Sequence, residues 1–66
     1  MFIVIEIQTN SDGTVGNFVW QYSSLPEAES KYHTVLAAAA ISALPKHACV
    51  LLNEEGVLFR TQCYEH

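Results

Sequence analysis

Basic residues are what this 66-residue sequence has least of: three Lys and Arg stand against seven Asp and Glu, for a formal charge of −4. Neutralising a phosphate backbone needs clustered cations, and no segment concentrates the few available, so ordinary nucleic-acid binding is disfavoured. Charge of either sign is sparse, at 15% of residues, while half the chain is apolar. A chain this short has too much surface for its volume to hide all of those apolar groups in one core, which by itself supplies roughly 3 to 5 kcal/mol. Oligomerisation is the expected remedy.

Glycine is also scarce. Gly13, Gly16 and Gly56 are scattered and suit turns or a strand bulge, so no phosphate-cradling loop exists and nucleotide binding lacks its scaffold. There are two cysteines, Cys49 and Cys63, and they form no CxxC pattern. In a reducing compartment they read as buried thiols, with a disulfide between neighbouring strands as the sharper alternative. Long apolar runs are missing too. Met1 leads into Phe2-Ile3-Val4-Ile5 without a basic region, and Glu6 interrupts the run, which argues against a signal peptide or membrane span and for a cytoplasmic protein. With no linker or repeat, residues 1–66 read as a single domain.

What is present has clear periodicity. From Phe2 to Thr9, Ile3, Ile5 and Ile7 alternate with Phe2, Val4, Glu6 and Gln8, the signature of a strand with one side more apolar than the other. Asn10-Ser11-Asp12-Gly13 supplies the positive-φ position of a tight hairpin, which returns the chain through Thr14 to Tyr22 with Phe18, Trp20 and Tyr22 on one side and Val15, Val19 and Gln21 on the other. Ser24 is placed to cap a helix, with Glu27 three residues on and Pro26 in the first turn. That helix is expected to reach about Ala43, because Pro45 disfavours helical geometry at Leu44. Leu25, Ala28, Tyr32, Val35, Leu36, Ala39 and Ala43 form its apolar stripe. His47 to Leu52 is apolar on both alternations, Asn53-Glu54-Glu55-Gly56 is a turn, and Val57 to Tyr64 is the returning strand. The expected fold is α+β, ordered ββαββ, with an antiparallel four-stranded sheet of two hairpins, one central helix, and a dimeric state.

The rest of the helix surface is short of charge beyond Lys31. Ser30, Thr34, Ala37, Ala38 and Ile41 are small or apolar, which lets another backbone approach; an alanine-rich helix selected for propensity alone is the competing reading. Trp20, Tyr32 and His33 are the further interface candidates, exposed or at a contact. A sheet with one helix has one covered face, and Phe2, Val4, Phe18, Trp20, Leu51 and Phe59 cannot all lie there, so an apolar face is expected to meet a partner.

Chemistry has few parts to work with. His33, His47, His66, Cys49 and Cys63 are metal-ligand types, and His47 and Cys49 point to the same side of a strand with Cys63 able to approach from its neighbour. The plain alternative makes Cys49 and Cys63 core residues, with His47 capping a strand end. A Cys-His nucleophile pair would still lack oxyanion donors and a group to orient the base. Trp20 and Tyr22 could stack on bases, but no cations flank them. Glu27 and Glu29 do not share a helix face, and Glu54-Glu55 belong to a turn, so no catalytic dyad is suggested. The seven acids are scattered as on a solvated surface.

The stretches Glu6-Ile7-Gln8-Thr9-Asn10 with Asp12-Gly13-Thr14-Val15, and Glu27 through Ala40, make most of the chain resemble a group of small proteins from gut Firmicutes and their prophages. The resemblance carries no catalytic residues. It implies a phage accessory role, as a structural or regulatory binding protein or as an inhibitor of a host defence system. The sequence therefore reads as a non-enzymatic homodimeric interaction module without a cofactor, engaging itself and another protein but neither nucleic acid nor membrane. The alternatives are a metal- or small-ligand-binding protein using His47, Cys49 and Cys63, or an acidic inhibitor of a host defence or nucleic-acid-handling enzyme.

Overall fold

In a computed structural model that describes all 66 residues, the chain forms β1 (Phe2–Thr9), β2 (Val15–Tyr22), α1 (Leu25–Ala40), β3 (Lys46–Asn53) and β4 (Leu58–Glu65). The four strands make one antiparallel sheet in the order β2-β1-β3-β4. The ββαββ α+β fold expected from the sequence is therefore the observed one.

Each turn follows its local chemistry. In the first hairpin Gly13 takes φ +89°, and Thr14 donates from its amide and its hydroxyl to Asp12 Oδ1 at 2.9 and 2.6 Å. Those two bonds hold the Asp12 carboxyl below its ordinary range. In the second hairpin Gly56 takes φ +83°, and the amides of Glu55 and Val57 both donate to Asn53 Oδ1. At the start of α1, Ser24 Oγ accepts from the Glu27 amide at 3.4 Å and donates to the Glu27 carboxylate at 2.8 Å, with Pro26 in the first turn. The helix ends at Ala40, three residues before the expected limit. The amides of Ile41 and Ser42 turn back to the Ala38 and Ala39 carbonyls, so the chain has left the helix before Pro45 acts on it.

Register decides which side chains share a face. β1 pairs Val4 with Trp20 and Leu51, Glu6 with Phe18 and Cys49, and Gln8 with Gly16 and His47. Helix α1 lies on that face, burying Ala28, Tyr32 and Val35 against Val4, Cys49 and Leu51. Phe2, Trp20, Tyr22, Leu25 and Leu36 pack around the cluster half-buried. Ala43, assigned to the stripe from its spacing, lies beyond the helix and is exposed. Only 8 of 66 residues are buried, which leaves the covered face a thin core for a free-standing domain.

Candidate interaction surface

The opposite sheet face carries no helix and is the more aliphatic of the two. Cross-strand partners place Ile3 beside Leu52, Ile5 between Val19 and Val50, and Ile7 beside Ala48. Val15, Leu58 and Cys63 extend this surface toward the sheet edges, where Gln21, Asn17 and Thr61 finish its rows. Its only charged strand residues are Lys46 and Glu65, opposite each other at one end. The helix-covered face by contrast includes Glu6, Gln8, His47 and Arg60. For a chain that stays alone this arrangement is inverted, since antiparallel sheets ordinarily turn their aliphatic side to the core and their polar side to water.

The polar residues of the covered face are accommodated by pairing. His47 is 4% exposed, its Nε2 lies 2.5 Å from Glu6 Oε2, and Gln8 Nε2 donates to the same oxygen at 3.1 Å. A carboxylate only accepts, so the imidazole donates from Nε2, which leaves Nδ1 as its other ring nitrogen. That Nδ1 is buried without a partner. Beside this group, His66 Nε2 is 3.0 Å from the Ala39 carbonyl at the helix end, and its ring stacks on Tyr64. Glu6 is thus no member of a scattered solvated set, and His47 is an internal strand residue paired with a carboxylate.

The proposed ligand set does not assemble. His47 and Cys49 do share the covered face, but Cys63 pairs with Ala48 and therefore lies on the other side of the sheet, exposed. No three His, Cys, Asp or Glu side chains come together in metal-binding geometry. The same placement keeps the two thiols apart, so both are free and only Cys49 is the buried thiol expected. Burial pushes the Cys49 thiol up to about 11, away from the thiolate a nucleophile needs.

The interface residues named from the sequence divide. Tyr32 is corrected to the core: it is 4% exposed beneath the helix, where burial raises its phenol above the ordinary value. Its spacing in the apolar stripe already carried that signal. His33, Thr34, Ala37, Ala38 and Ile41 are exposed on α1, and His33 meets the Tyr32 ring edge-on. Trp20 is half-buried on the covered side of β2, stacked with Phe18 and overlain by Lys31 Nζ at 4.0 Å from the ring centre. The aliphatic residues of the uncovered face were missing from that set, although their alternation was visible. The acids of the exposed surface are split. Glu54 bonds the N-terminal amine and Glu29 pairs with Arg60, whereas Asp12 and Glu65 sit at the other end of the strands, so the acids do not all gather at one end. No helix is long and apolar enough to cross a membrane.

No protein-family model, curated protein or solved structure matches this chain.

Proposed function

We propose that the protein is a non-enzymatic interaction module that works as a homodimer, with two copies stacked through their uncovered sheet faces. The observation that carries this reading is the inverted sheet: the helix covers the more polar side, and the side built from Ile3, Ile5, Ile7, Val50 and Leu52 has no cover within the chain. Size supports a second copy as the occupant. The molecule measures 34 × 20 × 15 Å, so its broad face projects roughly 700 Å², close to the ~800 Å² that each partner contributes to a standard interface. Stacked sheets pack about 10 Å apart, and β-branched side chains on a gently twisted surface interdigitate across that gap.

A non-enzymatic role is supported by what became of the reactive groups: one thiol and one imidazole are buried in structural contacts, and the other thiol stands alone on the opposite face. Two unpaired thiols suit the reducing cytoplasm. The resemblance to small prophage proteins extends the reading to a phage accessory protein, with a further protein partner engaged by the helix side. Light scattering coupled to size-exclusion chromatography tests the dimer. The wild type should elute at twice the chain mass at micromolar concentration. Ile5→Lys, at the centre of the face, and Thr61→Lys, at an exposed position in the same row, should both shift it to the monomer. A wild-type monomer, or a dimer indifferent to both lysines, refutes the reading.

A further inference from the structure

Face-to-face stacking leaves both sheet edges open, and the two edges are differently protected. Edge strand β4 has a register shift opposite Leu51 and Leu52, and it carries Arg60 and Glu65. Bulges and charges of this kind are how folded proteins keep an edge from pairing with a stranger. Edge strand β2 has neither. Its eight residues, Val15–Tyr22, include no charge and no proline, and they pair with β1 without interruption.

Beside this unprotected edge lies the molecule's one groove, an open trough of about 450 Å³ between β2 and α1, lined by Tyr22, Glu27, Ser30, Lys31 and Thr34. Phe18, half-exposed, and Trp20 form a shelf along the same side of the strand, and a Cβ at Gly16 would meet nothing within 4 Å. Lys31 rises over that shelf and belongs to none of the three ion pairs in the molecule, although the chain as a whole is acidic. Hydroxyls, an aromatic shelf and an unpaired cation thus converge on a strand whose outer main-chain groups are free, while the groove's one carboxylate, Glu27, is engaged by the Ser24 hydroxyl.

We infer that the β2 edge and the α1 groove bind an extended peptide as a fifth strand, with an apolar side chain on the Phe18–Trp20 shelf and a neighbouring carboxylate on Lys31. Main-chain hydrogen bonds supply the affinity and the groove supplies the choice of side chains, as in β-augmentation generally. The occupant is acidic because Lys31 lacks a carboxylate. A second copy's β2 is the less suitable occupant, since it brings aromatics and amides to Lys31 and no charge of either sign.

The chain's single tryptophan, Trp20, reports on the site directly. The probe is a capped octapeptide in which threonine alternates with phenylalanine and aspartate, so that one side offers phenylalanine and aspartate in turn. Added to wild-type protein it should give a saturating shift in Trp20 emission. Replacing its aspartates by lysine, or substituting Lys31→Glu or Lys31→Gln in the protein, should weaken binding about tenfold or more. N-methylation of alternate peptide amides, in both registers, should abolish it. No emission change at millimolar peptide, or equal binding by the N-methylated forms or by the lysine peptide, overturns the inference. The titration is repeated on Ile5→Lys, which disrupts the sheet-face dimer and leaves β2 intact, so failure of that dimer and failure of the edge site are read separately. If Ile5→Lys remains dimeric and its β2 amides resist exchange without peptide, a second copy occupies the edge and the peptide site is refuted.

Discussion

The two faces of this sheet are made from the same four strands, yet they solve different problems. On the covered face α1 buries Val4, Cys49 and Leu51 completely, and the same face accommodates a Glu6–His47 pair in which Nε2 meets the carboxylate across β1 and β3. The uncovered face has no helix to pack against, and its rows are aliphatic at the centre with Gln21, Asn17, Thr61, Lys46 and Glu65 at the margins. A face that binds a helix of its own chain can be mixed, since the helix is always there to organise it. A face that its own chain leaves uncovered offers apolar area and little else to hold it.

Adjacent leucines put this contrast to its hardest test. Leu51 is fully buried under the helix, and its neighbour Leu52 points to the open side. Leu51→Ala should cost about 2–5 kcal/mol, comparable to the whole stability of so small a domain, and should do so at every protein concentration. Leu52→Ala should cost less in dilute solution, with a penalty that grows as concentration favours the dimer. Urea denaturation of both variants at low and high protein concentration separates the cases. Equal, concentration-independent losses would erase the distinction between the faces.

The covered face's own peculiarity gives the next effect. Glu6→Ala leaves the His47 imidazole buried without its partner and should cost about 1–3 kcal/mol. The double change Glu6→Leu with His47→Leu removes both polar groups and should recover most of that loss, since a buried pair is commonly replaceable by apolar residues of similar volume. Thermal denaturation of the single and double variants decides it. A double variant as damaged as the single one would mean that the pair supports more than itself.

Much of this architecture was legible from residues alone. Asp12-Gly13, Ser24 with Glu27, and Asn53 with Gly56 act within a few residues of themselves, so the turns and the helix cap could be placed without knowing the fold. The side of each strand that meets the helix could not. In β1 and β3 both alternations are rich in apolar residues, and the choice rests on the helix, whose stripe of small residues with Tyr32 and Val35 packs on the aromatic and polar side rather than the aliphatic one. Cys63 shows the same limit: its face depends on pairing with Ala48, which no local pattern records. The helix end was misplaced because Pro45 is a visible breaker, whereas the earlier turn of Ile41 and Ser42 onto the preceding carbonyls leaves no mark in the sequence.

Alkaline titration sharpens the comparison by a smaller amount. The Cys49 thiol is neutral when protonated, and burial raises its value from 9.0 to about 11 in the folded chain. The folded state therefore keeps a proton that the unfolded state releases. This contribution is whole below pH 9 and is lost as the pH rises between about 9 and 11. Tyr32, raised in the same direction from 10.0, adds to the loss in the upper part of that window. Urea midpoints measured from pH 7 to 11 should fall through this range, and Cys49→Ala should start lower but fall less steeply. An unchanged slope in that variant would show that Cys49 does not set the alkaline limit.

The smallest effect is kinetic and uses the two thiols as one probe of each face. Cys49 is buried beneath the helix and should react with a thiol reagent only when the chain unfolds, so its labelling measures opening of the covered face. Cys63 is exposed on the uncovered side, opposite Ala48 and in the row that holds Ile7. In a free monomer it should react at once. If two copies meet through that face, Cys63 becomes buried between them, and its labelling should slow several-fold as protein concentration rises through the dimer's dissociation constant, while Cys49 stays silent throughout. Ile5→Lys should restore fast labelling at every concentration. A Cys63 rate independent of concentration in the wild type would place any contact between copies elsewhere, and would leave the aliphatic face to a partner of different sequence.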